Sequence, residues 1–331
     1  MKLKLINLTV LLFLSTLTFG QFHPKYDEYK HFSIHKKGDT INYHIYSPRD
    51  LKETEGIILF IQGSGGQPLF KIIKENGSET IQSQVPFNPD KIPDSYAFVV
   101  VSKKCLPFST DGKNFETPQC YYENEGLDYR VWQYNEVLNQ VVKKQIKTPK
   151  KVIVIGHSEG TDVAAKLGTI NKNITHLGFW AGGGHTQYYD FALFIRKALS
   201  EGKIDEETAI QQMDSLLAQI NNIETDPNST SKYWLGNTYR RWSHFSEPPV
   251  ENLLKINIPV FVAFGANDVS VPVESALIIP IEFARLKKNN LTFRLYPDYD
   301  HSFNSAPTNE NVNWESHWMD VFDEFMEWTN N

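Results

Sequence analysis

The sequence predicts an α/β fold, a mostly parallel central sheet flanked by helices with one helical insertion. Three observations carry this. Short, continuous apolar runs rich in β-branched and aromatic residues recur along the chain. Segments with helical apolar spacing fall between them. One long stretch, residues 182–257, has helical spacing and no strand pattern. Parallel strands are covered on both faces, so they need unbroken apolar runs rather than alternation. Strands that alternate with helices imply crossover units.

Residues Ile41–Tyr46 alternate in the manner of an early strand at a sheet edge. Gly56–Ile61 (G-I-I-L-F-I), Ala97–Val101, Val152–Ile155, His176–Ala181, Pro259–Phe264 and Leu291–Tyr296 then read as buried strands. Tyr129–Val142 places Val131, Tyr134, Val137, Leu138 and Val141 on one side of a helix. A second helix opens directly after Ser158, at Asp162–Leu167, and Trp314–Trp328 closes the chain as an amphipathic helix. Within 182–257, Ile210, Met213, Leu216, Leu217 and Ile220 share one helical face. Asp205 stands where an N-cap would, with Glu206 and Glu207 in the first turn. An insertion at this place is expected to form a cap over the carboxyl edge of the sheet, where ligands of open α/β sheets bind.

The 331 residues suffice for one domain with an insertion. A 40% hydrophobic and 22% charged chain is that of an ordinary globular protein. The net charge of −6, without long runs of one sign, gives no footprint for nucleic acid or a membrane surface. Residues 1–20 differ from the rest. Lys2 and Lys4 precede an apolar stretch from Ile6 to Phe19, and Thr18 and Gly20 supply small residues for a cut after Gly20. That pattern predicts a secretory signal and a mature domain of residues 21–331, secreted or periplasmic, without a membrane span. Cys105 and Cys120 are the two cysteines, and export predicts a bridge between them. Such a loop closure stabilises by about 3 kcal/mol in the chain-entropy picture.

The strongest motif is Gly156-His157-Ser158-Glu159-Gly160, between V-I-V-I and a helix start. In strand–turn–helix context, G-x-S-x-G holds a serine on a sharp turn with its oxygen exposed. Both glycines are needed where side chains would strike neighbouring backbone.

These residues resemble the α/β-hydrolase superfamily, in which serine, acid and histidine follow in that order. The resemblance covers nearly all of the chain after residue 20. It implies Ser158 as nucleophile. Phe264-Gly265-Ala266-Asn267-Asp268, before a Val271-Pro272 step, resembles the acid loop and implies Asp268. Asp300-His301, after the last strand, resembles the histidine loop and implies His301 as base. Asp298 and Asp300 are rival acids, both close to His301 in sequence. His157 adjoins the serine and is expected to point away from it. A base must take the hydroxyl proton as serine attacks, and a buried carboxylate must orient that base.

The resemblance further implies an oxyanion hole from the amide of Glu159 and one from Gln62-Gly63-Ser64-Gly65-Gly66, either Gly63 or Ser64. This loop is similar to a glycine-rich H-G-G-G loop, but Gln62 replaces the histidine and Ser64 interrupts the glycines. It lacks the lysine and spacing of nucleotide-binding loops. His31 and His35 read as solvated surface histidines rather than metal ligands. Arg240, Arg241 and His244 read as solvated surface charge, with contact to an acidic group of a substrate as the alternative. The aromatic residues of 182–257, among them Tyr188, Phe191, Phe194, Trp234 and Trp242, read mainly as core of the insertion, a few of them as the lining of an acyl or aromatic pocket.

The expectation is an exported hydrolase of small carboxylic esters, with no cofactor implied and the oligomeric state open. A peptidase resembling the catalytic module of prolyl oligopeptidases and a non-catalytic binding protein on the same scaffold are the alternatives.

Overall fold

The computed structural model describes residues 23–308 and 312–331, so the expected signal at residues 1–20 lies outside the described residues. Along the chain come β1 (Lys30–Lys36), β2 (Asp39–Tyr46), β3 (Gly56–Ile61), β4 (Phe70–Glu75), β5 (Ser78–Ser83), β6 (Tyr96–Val101) and β7 (Ser109–Asp111). Helices α1 (Gln119–Asn124) and α2 (Leu127–Gln140) lead to β8 (Lys151–His157), α3 (Gly160–Ile170) and β9 (His176–Trp180). The insertion holds α4 (Gln187–Ser200), α5 (Glu206–Thr225), β10 (Tyr233–Trp234), β11 (Asn237–Thr238), α6 (Tyr239–His244) and α7 (Pro249–Leu253). Then follow β12 (Val260–Gly265), α8 (Val273–Arg285), β13 (Leu291–Tyr296), β14 (Asn304–Ser305), β15 (Glu315–Ser316) and α9 (Trp318–Trp328).

Eight strands form the central sheet in the order β1-β2-β6-β3-β8-β9-β12-β13. The pairings from β6 to β13 are parallel, and those of β1 with β2 and β2 with β6 are antiparallel. Every residue of β3 and β12 is buried, as their unbroken apolar runs require. Val131 and Val137 of α2, Val163 and Leu167 of α3, and Phe283 of α8 cover one face. Trp318, Phe322 and Phe325 of α9 cover the other with Phe87 and Trp180. The α/β class read from the sequence is the class observed.

Several details differ from expectation. Ile41–Tyr46 is not the sheet edge, because β1 lies outside β2. The two join through Lys37 and Gly38, both at positive φ, which is the two-residue hairpin turn that matches strand twist. The last helix starts at Trp318, not Trp314; Trp314 is 62% exposed, and Glu315–Ser316 pairs instead with Asn304–Ser305.

In the insertion, Asp205 caps α5 by accepting from Thr208 N at 2.8 Å. The buried stripe of α5 is Ala209, Leu216 and Ile223, spaced by seven. Ile210 and Leu217 are instead 57% and 53% exposed. Neighbouring elements α4 and α6 cover only one side of α5, so residues one step round the helix reach solvent. The segment also contains the small β10–β11 hairpin, turned at Leu235 and Gly236, which the helical reading did not include.

Candidate active site

Three loops at the carboxyl ends of β8, β12 and β13 carry Ser158, Asp268 and His301. Ser158 has φ 55°, in the left-handed region. Its amide donates to Trp180 O at 3.0 Å, and its carbonyl accepts from Thr161 N at 2.9 Å. A Cβ on Gly156 would stand 2.3 Å from Gly160 O, and one on Gly160 would stand 2.1 Å from Ile61 O. No side chain fits either place, so the G-x-S-x-G spacing follows from close backbone approach. A strained residue held this firmly is a common feature of functional sites.

Asp268 is 4% exposed. Its Oδ1 accepts from Ser270 N at 2.7 Å and Val271 N at 2.9 Å. Its Oδ2 accepts from His301 Nδ1 at 2.7 Å. A carboxylate oxygen requires a donor, so the Nδ1 tautomer is fixed and Nε2 carries the free lone pair. Burial pulls the His301 pKa down, but the charge and hydrogen bond of Asp268 outweigh it and leave the value above the ordinary one. Of the rival acids, Asp298 is exposed. Asp300 Oδ1 is engaged by the amides of Ser302 and Asn304, both at 2.8 Å, within its own turn. His157 points not into open space but onto the histidine loop, donating from Nε2 to His301 O at 2.9 Å. Burial, aided by the nearby His301, lowers its pKa to about 3 and keeps it neutral.

Ser158 and His301 line the same cavity of about 400 Å³. No hydrogen bond joins them among the described residues, and such pairs often close only when substrate arrives. Gly63, Ser64 and Glu159 line this cavity too. Gln62, buried at the start of the loop at residues 62–66, accepts from Tyr134 OH at 2.6 Å and donates to Val101 O at 3.1 Å.

Arg241 corrects the surface-charge reading. It is 3% exposed and donates from Nε to Glu159 Oε2 at 2.8 Å. Arg130 Nη1 donates to Glu159 Oε1 at 2.8 Å, and Arg130 Nη2 to Gln62 O at 2.6 Å. Arg240 and His244 do reach the surface, where both meet Asn228 Oδ1 at 3.0 Å. Lys103, which the sequence reading passed over, is buried with Nζ donating to Gly63 O and Gly65 O.

The insertion supplies Phe191, Phe194, Asn237, Arg241 and Trp242 to the cavity. Lys71, Gln82 and Ser83 of a three-stranded sheet, β5-β4-β7, also line it. Asn76-Gly77, both at positive φ, turns β4 into β5, an N-G hairpin signal that the sequence contained. Two further carboxyls, Asp162 and Asp190, are buried in the lining. Burial pushes Asp162 well above the carboxylate range and Asp190 to about 7, the latter opposed by the nearby Ser275 hydroxyl and reinforced by Asp268.

Cys105 and Cys120 form a disulfide beside the Lys103 segment. His31 is exposed on β1 but shares a 2.7 Å Nδ1–Nδ1 contact with buried His44; His35 is exposed. Among the described residues no group of three or more His, Cys, Asp or Glu could hold a metal ion, and no helix is long and apolar enough to cross a membrane.

The Dienelactone hydrolase family matches residues 231–329, a span that holds Asp268 and His301. No curated protein matches the chain in sequence. Among solved structures, an acylaminoacyl peptidase of Pyrococcus horikoshii superposes with a TM-score of 0.56 at 13% identity, covering 92% of this chain and 41% of that one. Est1E from Butyrivibrio proteoclasticus, bound to ferulic acid, gives 0.54 at 14% identity, covering 90% of this chain and 97% of that one. A Mycobacterium tuberculosis puromycin-hydrolyzing peptidase gives 0.52 at 15%, covering 83% and 37%. This chain thus spans less than half the length of those two peptidases. The fold is the α/β-hydrolase fold, shared by esterases and peptidases.

Proposed function

We propose that this protein is an exported serine hydrolase that cleaves carboxylic esters through an acyl-enzyme intermediate. One arrangement carries the reading: Ser158 on a strained turn, facing a cavity shared with His301, whose Nδ1 is bonded to buried Asp268.

In this reading Ser158 Oγ attacks the ester carbonyl carbon while its proton passes to His301 Nε2. Asp268 holds the imidazolium that results. The oxyanion is met by the Glu159 amide and an amide of the Gly63–Ser64 loop. Collapse breaks the ester C–O bond, and His301 returns the proton to the leaving alcohol. Water then attacks the acyl-enzyme, again giving its proton to His301, and collapse restores Ser158 and releases the carboxylic acid.

Ester over peptide is supported by the near full-length likeness to Est1E and by the match to the Dienelactone hydrolase family. The insertion, whose aromatics line the cavity, serves as a cap over it. A disulfide belongs with an oxidising compartment, which supports export.

The test is labelling by a fluorescent fluorophosphonate, wild type beside Ser158→Ala, followed by a panel of esters and peptides. Labelling lost only in the variant, with ester turnover above peptide turnover, is the expected result. Dominant peptide turnover would move the protein to the peptidases. Folded wild type that takes no label would leave a binding protein on this scaffold.

A further inference from the structure

The loop after β3 has its carbonyls pinned by side chains. Gln62 O accepts from Arg130 Nη2 at 2.6 Å. Gly63 O accepts from Lys103 Nζ at 2.7 Å, and Gly65 O from the same nitrogen at 2.8 Å. Gly66 O accepts from Thr117 Oγ1 at 2.8 Å. The described residues contain no cis peptide bond. In a trans peptide the N–H points opposite to the C=O. Fixing Gly63 C=O on Lys103 therefore turns the Ser64 N–H to the other side of the loop.

Gly63 itself lies against the Ser158 turn. A Cβ built on Gly63 would stand 3.0 Å from Ser158 Cβ and 3.4 Å from Ser158 Oγ. Ser64 lines the cavity with Ser158.

We propose that Lys103 is a positioning residue of the oxyanion hole: by holding the Gly63 and Gly65 carbonyls it aims the Ser64 amide at the oxyanion formed when Ser158 attacks. The proposal rests on the hydrolase reading above and selects Ser64 over Gly63 as the second donor.

The surroundings explain why a lysine is used. Its terminal nitrogen offers at least two N–H donors from one atom, enough to bridge two carbonyls. Lys103 is 6% exposed. Burial, then Arg130, pulls its pKa down to about 7 against the pull of Glu159 and Glu125, and the Tyr121 ring lies 5.9 Å from Nζ. Two residues on, Cys105 is bridged to Cys120 at the start of the helix that bears Tyr121, so the Lys103 segment is anchored covalently.

The test compares wild type, Lys103→Met and, as a control for loss of a nearby lysine outside the site, Lys104→Met. Hydrogen exchange of the peptide containing Gln62–Gln67 reads the clamp without any substrate. Ester kinetics and inhibition by a trifluoromethyl ketone, which forms a tetrahedral adduct, read the oxyanion hole. Lys103→Met is expected to speed exchange in that peptide. It is also expected to lower kcat on the order of 10- to 100-fold at near-constant KM. The trifluoromethyl ketone should weaken by a similar factor. Unchanged exchange, unchanged kcat, or a rise in KM alone would overturn the proposal. Faster exchange in a protein whose wild type hydrolyses and labels with nothing would also overturn the oxyanion role, through failure of the hydrolase reading rather than of the clamp. If Lys103→Met does not fold, Lys103→Gln, which keeps donors for one carbonyl, takes its place and should give a smaller loss of kcat.

Discussion

Arg241 donates from Nε to Glu159 Oε2 at 2.8 Å, while Arg130 Nη1 holds the other oxygen of the same carboxylate at 2.8 Å. Glu159 follows Ser158, and Arg241 sits on α6 of the insertion. The Ser158 turn is thereby tied to the insertion through one buried ion cluster. Burial opposes the Glu159 charge, but Arg241 and Arg130 outweigh it and hold its pKa below the usual range.

Removing one partner from such a cluster leaves charge buried without compensation. Arg241→Met is expected to destabilise the protein by about 3–5 kcal/mol, read as a lower midpoint in denaturant unfolding. An unchanged midpoint would show that Arg130 alone satisfies Glu159.

In the proposed mechanism Ser158→Ala removes the attacking oxygen and leaves the packing alone, so the melting curve should stay near wild type while ester turnover falls on the order of 10⁴-fold or more. Asp268→Asn keeps the shape of the acid but loses the carboxylate that fixes the His301 tautomer, and should lower kcat on the order of 10⁴-fold. Retained turnover in Ser158→Ala at unchanged stability would place the nucleophile elsewhere.

Much of this site was legible because its signals are local. The glycines of G-H-S-E-G answer to close backbone approach around one turn, and Asp268 and His301 each stand just past a strand, fully buried in β12 but interrupted by Thr292 and Arg294 and partly exposed in β13. Arg241 was misread because a cation beside another in a helical segment gives no sign of a partner; Glu159, which pairs with it, lies on another element. Lys103 was hidden for a related reason, since its partners are backbone carbonyls that no residue type announces. Strand β1 escaped because K-H-F-S-I-H-K is an exposed edge and lacks the apolar run used to find the others. The β4–β5 hairpin did carry a usable signal in Asn76-Gly77, and it forms part of the cavity wall.

Catalysis should rise with pH as His301 becomes a free base. Its folded-state pKa lies above the ordinary histidine value, so kcat/KM is expected to climb through one ionisation above about 6.5. The stability term of the same group has the opposite sense. It is fully present below about 6.5 and is lost as pH rises through the folded value. A kcat/KM profile with its midpoint well below 6.5 would contradict the Asp268–His301 pairing.

The Cys105–Cys120 bridge closes a loop with a sequence separation of 15. The double variant Cys105→Ser, Cys120→Ser should lose about 3 kcal/mol of unfolding free energy. Because the bridge anchors the Lys103 segment, its loss should also reduce kcat. A variant with lowered stability and unchanged kcat would confine the bridge to a structural part.

Acid should destabilise the protein through two histidines kept neutral in the fold. Burial, then the His301 charge, takes His157 to about 3; burial, then His31, takes His44 to about 3. The unfolded chain protonates both near 6.5. Between those values the unfolded state binds more protons, so the stabilisation is complete above about 6.5 and falls as pH drops through the window. Each group contributes a slope of about 1.4 kcal/mol per pH unit. His301 adds nothing to the slope there, since it is protonated in both states. Unfolding free energies measured at pH 7, 6 and 5 should therefore decline more steeply for wild type than for His157→Asn, by about one proton's worth. Parallel curves for the two proteins would mean that His157 is protonated in the folded state, and its donation from Nε2 to His301 O would then come from an imidazolium.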